Sequence, residues 1–272
     1  MTDSRQERGL AWQAGVWDRM ADPYIREIDT RFEPVIEQML RRAQLQNGES
    51  VLDLGTGTGA AALVASEVVG SGGHVTAVDI SGEMLAIARE RAESSNLTNI
   101  SIKRGSAEAI PIEDDSLDVV LSSLVLMYVI NRDSAAKELA RVLRPGGRAV
   151  VVVWSGPEEA DVVKFQQAAG RFAPKPPVDK VGPGALADCS PFIEQLSHVG
   201  LDVSVETANT QFSFPDFESA WDALAGVTTA NLDDDTRKEA QAFVHDLMWA
   251  DSRDGPSVFN NAIQLVVIAK PT

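Results

Sequence analysis

Apolar residues recur along this chain with two different periods. Between positions 9 and 45 they fall at helical spacing, as Trp12, Trp17, Met20, Ile25, Ile28, Phe32, Ile36 and Met39. That predicts two or more helices ahead of the first strand. From residue 50 short runs that are nearly all apolar alternate with helical stretches. SVLDLG (50–55), HVTAVDI (74–80), NISIKRG (99–105), SLDVVLSSL (116–124) and GRAVVVVW (147–154) read as five strands. AAALVASEVVG is a helix stopped by Gly70 to Gly73. Ser81 caps the next helix, whose buried stripe is Met84, Leu85, Ile87 and Ala88. KELARVLRPGG (137–147) reads as a helix with a glycine stop. Strands apolar on both sides need helices on both faces. The predicted fold is therefore α/β, a doubly wound and mostly parallel sheet whose ligand lies beyond the carboxyl ends of the strands.

After Trp154 the pattern changes. The segment 156–190 reads as a long loop, because APKPPVDKVGPG (173–184) is rich in proline and glycine. PFIEQLSHVG (191–200) is a helix and LDVSVETANTQFSF (201–214) a strand; helical stretches follow near 216–225 and 233–250, and NAIQLVVIAK (261–270) closes as a strand. A late strand pair implies a hairpin added at one sheet edge, for seven strands in all. The expected organisation is one structural domain: an N-terminal helical cap (1–45), a ligand-binding core (46–155), and a remainder (156–272) that completes the sheet and carries lid insertions. The two caps hold Trp12, Trp17, Trp221 and Trp249, which suggests that they build an aromatic pocket over the strand ends.

Composition narrows the partners. A formal charge of −16 disfavours nucleic acid and anionic membrane surfaces. The nearest basic groupings, Arg41-Arg42 and Arg141/Arg144/Arg148, sit in mixed sequence. Arginine outnumbers lysine 17 to 7, which fits either a high-salt origin or an ordinary acidic enzyme. One cysteine, Cys189, allows no intramolecular disulfide and no cysteine-rich metal site, and no metal is expected. The N-terminus lacks the apolar run of a signal peptide and no stretch is long enough to span a bilayer, so a cytoplasmic protein is expected, as a monomer or homodimer.

Candidate chemistry centres on VLDLGTGTGA (51–60). Read as G-x-G-x-x-A, Gly55, Gly57 and Ala60 fit a dinucleotide turn. Read as D-x-G-x-G-x-G, Asp53, Gly55, Gly57 and Gly59 fit a binder of S-adenosylmethionine (SAM). Asp79, at the end of the second strand, suits ribose hydroxyls in both cases. Two further motifs discriminate, GSAEAIPIEDDSLDVV (105–120) and VLRPGGRAVVVVW (142–154). With VLDLGTGTG and VTAVDIS they resemble the class I SAM-dependent methyltransferases, and within them the small-molecule group that includes the ubiquinone/menaquinone-biosynthesis enzymes. The resemblance covers roughly residues 45–155.

It implies a cofactor cradle. Gly55, Thr56, Gly57 and Gly59 would wrap the methionine part, with Asp53 holding the loop and the amino group. Asp79 would take the ribose, Ile80 and Met84 would lie against the adenine, and Ala107 and Glu108 at its edge. Ser122 or Ser123 would sit near the sulfonium, and Tyr24 would close over the methionine end beside Trp17. Ser106 stands where many relatives carry an acid. No catalytic residue is obvious; Tyr128 and His245 are candidates. His74 and His198 read as structural, and the runs EDDS and LDDDT as solvated caps. The sequence SSLVLMYV after strand four is not N/D-P-P-Y, which argues against adenine-N6 methylation, and Ser-Pro after Cys189 argues against a cytosine-C5 nucleophile. One cysteine does not supply the thiol-rich pattern of arsenic methyltransferases. The resulting expectation is methyl transfer from SAM, leaving S-adenosylhomocysteine (SAH), to a small organic O-, N- or C-nucleophile. The alternatives are an NAD-dependent oxidoreductase, disfavoured because no Tyr-x-x-x-Lys appears and the 105–108 and 143–147 motifs lack a role there, and a SAM-fold protein that binds without transferring.

Overall fold

The computed structural model describes residues 4–229, 232–249 and 255–272. Two helices precede the sheet, α1 (Ser4–Pro23) and α2 (Glu33–Ala43). The core then alternates as β1 (Ser50–Leu54), α3 (Ala60–Val69), β2 (His74–Asp79), α4 (Gly82–Ser94), β3 (Ile100–Arg104), β4 (Leu117–Ser123), α5 (Arg132–Val142) and β5 (Leu143–Trp154). The last third contributes α6 (Asp161–Gly170), α7 (Ser190–His198), β6 (Asp202–Phe214), α8 (Phe217–Leu224), the single turn α9 (Gly226–Thr229), α10 (Asp234–Met248) and β7 (Ser257–Ala269).

The seven strands form one sheet in the order β3-β2-β1-β4-β5-β7-β6. β1 to β5 run parallel, and β7 pairs antiparallel with both β5 and β6. The order reverses between β1 and β4, which opens a crevice at the carboxyl edge of the sheet. Helices α2, α3 and α4 pack against one another in one layer, and α5 packs against α7 in another. β1 and β4 are buried almost throughout, as strands covered on both faces must be. The late strand pair is the predicted edge addition, with α8 to α10 inserted between its two members.

Three expectations need correction. The helix read over 137–147 runs from Arg132 to Val142, with the Asn131 side chain capping the Ser134 N–H. Pro145 is the reason. It cannot continue a helix, and the residue before a proline is pushed to extended backbone. The chain therefore leaves the helix at Leu143 and joins β5 early, with a register shift opposite Leu117 and Val119. The segment 156–190 is not all loop, because α6 lies within it; its buried Val162, Val163, Phe165 and Ala169 were masked by the neighbouring prolines. The final strand starts at Ser257 rather than 261. The expected helix end at 250 lies outside the described residues.

The N-terminal segment is not two simple helices. At Pro23 the backbone has no N–H to donate, and α1 gives way to a π-helical turn, Tyr24–Ile28, closed by a bond from Asp29 N–H to the Tyr24 carbonyl. Such turns redirect side chains and often lie at functional sites. Asp29, which follows it, is buried and accepts from the Thr58 hydroxyl and from Arg91 (2.9 Å). Asp18 of α1 accepts from the Ser81 hydroxyl at 2.6 Å. The cap is thereby bolted to the glycine loop and to the start of α4.

Candidate active site

One deep cavity opens at the carboxyl edge of the sheet, holding about 1050 Å³ of empty space counted out to its mouth. It extends from Asp79 on β2, past Gly55 at the end of β1 and Ser123 on β4, to Trp154 on β5. Three strand spacings separate its ends, about 14 Å. Length and topology thus define a β1/β2 end and a β4/β5 end of one continuous space.

The β1/β2 end is a glycine cradle. Gly55 and Thr56 hang from β2 by N–H bonds to the Val78 carbonyl, at 2.7 and 3.0 Å. Gly55, Gly57 and Gly59 all have positive φ, where an L side chain is strained. A Cβ at Gly55 would collide with Val125, whereas a Cβ at Gly57 would meet nothing within 4 Å. The backbone at Gly57 therefore faces open cavity. Asp79 accepts from the Gly57 N–H (2.8 Å) with one oxygen and from the Ser81 N–H (2.9 Å) with the other. Each carboxylate oxygen has a further lone pair for a ligand hydroxyl. Burial raises the Asp79 pKa above the usual carboxylate value, and these two backbone donors oppose the shift.

Asp53 does not line the cavity. It is buried beneath the loop, where it accepts from the Thr56 hydroxyl (2.7 Å) and from the Ala62 N–H in the first turn of α3. Burial pushes its pKa up to about 6, against those hydrogen bonds. Its carboxylate thus takes up one N–H of the first turn of α3 from beneath the loop. Thr56 turns its hydroxyl to Asp53, and Gly59 abuts Ala88 as the N-cap of α3, so both shape the loop from behind.

Of the expected site residues, Tyr24, Gly55, Gly57, Asp79, Ile80, Met84, Ser106, Ala107, Glu108, Ser123 and Tyr128 line the cavity. Asp53, Thr56, Gly59, Ser122 and His245 do not. Ser122 is fully buried and donates to the Leu54 carbonyl at 3.0 Å, so it joins β4 to β1. His245 sits edge-on to Phe217, 4.9 Å between ring centres. The Glu108 carboxylate is engaged by the backbone N–H groups of Ile130 and Asn131 and by Gln6. It fastens α1 and the 130 turn to the 105–108 turn. Ser106 accepts from the Glu108 N–H at 3.1 Å.

The β4/β5 end is aromatic. Phe32 packs against Trp154 and Phe212, and Trp17 meets both tyrosines edge-on, with its centroid 6.5 Å from Tyr24 and 5.1 Å from Tyr128. Those are the only two tyrosines in the chain. Burial drives both phenol pKa values well above the usual range, so both stay protonated. Among the described residues the lining contains no histidine, lysine, arginine or cysteine.

The aromatic pocket expected from the caps exists, but of the four expected tryptophans Trp17 lines it and Trp12, Trp221 and Trp249 do not. Trp221 and Trp249 are buried with Phe165, Phe217 and Phe259 in a separate cluster, because α8 and α10 turn their apolar faces towards α6 and β7. Trp154, at the end of β5, joins Trp17 in the lining. Trp154 could have been found by placing the end of β5 beside that of β4. Gln13, Gln166, Leu224 and Val227 also line it and carry no motif.

A sheet of this order, with a carboxylate ending β2 over a glycine turn, defines a nucleoside-cofactor domain of the doubly wound class. Residues 45–168 match the family model for a methyltransferase domain. The chain is similar to an arsenite methyltransferase of Halobacterium salinarum, 30% identical over 184 residues, which are 66% of this chain and 44% of that protein. It is similar to the ubiquinone/menaquinone biosynthesis C-methyltransferase UbiE of Vibrio vulnificus, 39% identical over 111 residues, 40% of this chain and 43% of that one. The match thus spans under half the length of these curated relatives. Among solved structures, the YcgJ protein of Bacillus subtilis shares the fold with a TM-score of 0.65 at 21% identity, over 87% of this chain and 98% of that one. The chain carries a class I SAM-dependent methyltransferase domain. Among the described residues no helix is long and apolar enough to cross a membrane.

Proposed function

We propose that the protein transfers the SAM methyl group to a small, largely apolar organic acceptor seated at the β4/β5 end of the cavity. The observation that carries this reading is one continuous cavity with a glycine-and-carboxylate cradle at one end and an aromatic wall at the other. SAM supplies an activated methyl group on a positively charged sulfur with a neutral leaving group.

The protein's own residues do the rest. Gly57 admits the ligand close to the backbone, and Asp79 offers its free lone pairs to ribose hydroxyls. Asp79 and the buried Asp53 give this end negative charge, which suits a cation and opposes a pyrophosphate. Trp17, Tyr24 and Phe32 of the N-terminal cap exclude water and hold acceptor and methyl group in line. Tyr128, kept protonated by burial, donates a hydrogen bond and does not serve as a base. Among the described residues the lining has no histidine or lysine, and its carboxylates Asp79 and Glu108 are engaged by backbone N–H groups, so the acceptor attacks through a lone pair it already has. A thiophilic arsenite acceptor is disfavoured, because the single thiol, Cys189, is buried, donates to the Leu186 carbonyl and has a pKa pushed up to about 11.

The test is a panel of small amines, phenols and quinols incubated with SAM, with SAH formation as the readout. SAH accumulating with one acceptor class supports the reading. SAH binding without turnover on any member would favour a protein that binds the cofactor and does not transfer.

A further inference from the structure

Among the described residues, the wall at the β4/β5 end contains one buried polar atom that the fold leaves unpaired. Gln166, on α6, is 6% exposed and lines the cavity with Trp154, Leu224 and Val227. Its Nε2 donates to the Leu224 carbonyl at 3.3 Å, and its Oε1, fully buried, has no partner. The amide cannot be turned to better effect. A carbonyl only accepts, so the nitrogen must face Leu224 and the oxygen is left over. Buried side-chain acceptors are normally paired, and one left bare beside a cavity calls for a ligand.

We propose that Oε1 of Gln166 reads the acceptor, accepting a hydrogen bond from an O–H or N–H on an otherwise flat, apolar molecule. This rests on the cofactor-and-acceptor reading of the cavity and narrows its substrate class. Phe32 and Trp154 provide the apolar surface, and among the described residues the lining at this end offers no cation to attract an anionic group. Leu224 sets the height of the amide, so α6 and α8 act together as a ruler between the ring wall and the donor. Gln166 is a specificity-determining residue here, not a proton-transfer group, since an amide does not titrate in the working range.

The experiment uses two matched probes, 1-naphthol and 1-methoxynaphthalene, titrated calorimetrically into SAH-loaded protein. They differ in the single hydrogen-bond donor. The wild type is expected to bind 1-naphthol at least tenfold more tightly. Gln166→Met, of similar volume, is expected to bind both alike with SAH affinity unchanged. Equal binding of the two probes by the wild type, binding of neither, or discrimination that survives in Gln166→Met overturns the proposal. Failure of the wild type to bind SAH at all would overturn the proposed function instead.

Discussion

Gly57 is where the cradle can be probed with least disturbance to the fold. Its φ is +54°, and a Cβ built there meets no atom within 4 Å. Gly57→Ala therefore meets no steric clash, only the left-handed backbone, a cost of roughly 1–2 kcal/mol. Part of this is offset because alanine also restricts the unfolded chain, by about 0.4–1 kcal/mol. A net loss near 1 kcal/mol lowers Tm by about 2–4 °C in a domain this large. Gly55→Ala is different. Its φ is +75° and its new Cβ would lie 2.2 Å from a Val125 methyl, so overpacking of about 1–3 kcal/mol adds to the strain. The two variants thus separate stability from binding. Gly55→Ala is expected to be the less stable. Gly57→Ala, and more so Gly57→Val, is expected to fold and to lose SAH affinity at least a hundredfold, about 2.8 kcal/mol. Thermal melts and SAH titration calorimetry on the same samples decide it. A folded Gly57→Val that binds SAH within threefold of wild type would refute the placement of the ligand against this loop.

Asp79→Ala is expected to weaken SAH binding at least tenfold without unfolding the sheet, and wild-type affinity is expected to fall as acid protonates Asp79, whose pKa is raised; both are read by calorimetry. Asp53 is held at about 6 against 3.8 when exposed, so the folded state binds its proton more tightly than the unfolded chain does. Stability from this group is present below pH 3.8 and is lost as pH rises to about 6, by about 3 kcal/mol in all. Relative to wild type, Asp53→Asn is therefore expected to gain stability between pH 4 and pH 7 in denaturant titrations; an unchanged difference would contradict the burial argument. Tyr128→Phe is expected to lower turnover while leaving the shape of the pH–rate profile unchanged, because the phenol does not titrate in that range; loss of a basic limb would make it a base after all.

The sheet was legible because it is written in backbone chemistry. Apolar runs of six to nine residues alternating with helical stretches have few other solutions, and the bond from the Met84 N–H to Ser81 Oγ is the one its sequence predicts. The candidate cofactor end was legible for the same reason: Gly55, Gly57 and Asp79 sit at or just after strand ends, where strand order alone brings them together. What was not legible depends on tertiary placement. Nothing local in Glu108 says that its carboxylate joins α1 to the 130 turn. Trp221 of α8 and Trp249 just after α10 look like the tryptophans of α1 until packing sends them into a separate cluster. Pro145 was visible, yet its restriction of Arg144 was outweighed by the glycines that follow. Gln166 is a lone polar residue on a helix hidden among prolines, and its meaning lies in the missing partner of one oxygen.

The cavity is expected to take an adenosyl sulfonium cofactor and not a nicotinamide dinucleotide. Titrating SAH and NADH separately into the same protein tests it directly, with Gly57→Val as the control. Saturable binding of SAH that Gly57→Val abolishes, with no heat from NADH, is the predicted result. Binding of NADH without SAH would contradict it.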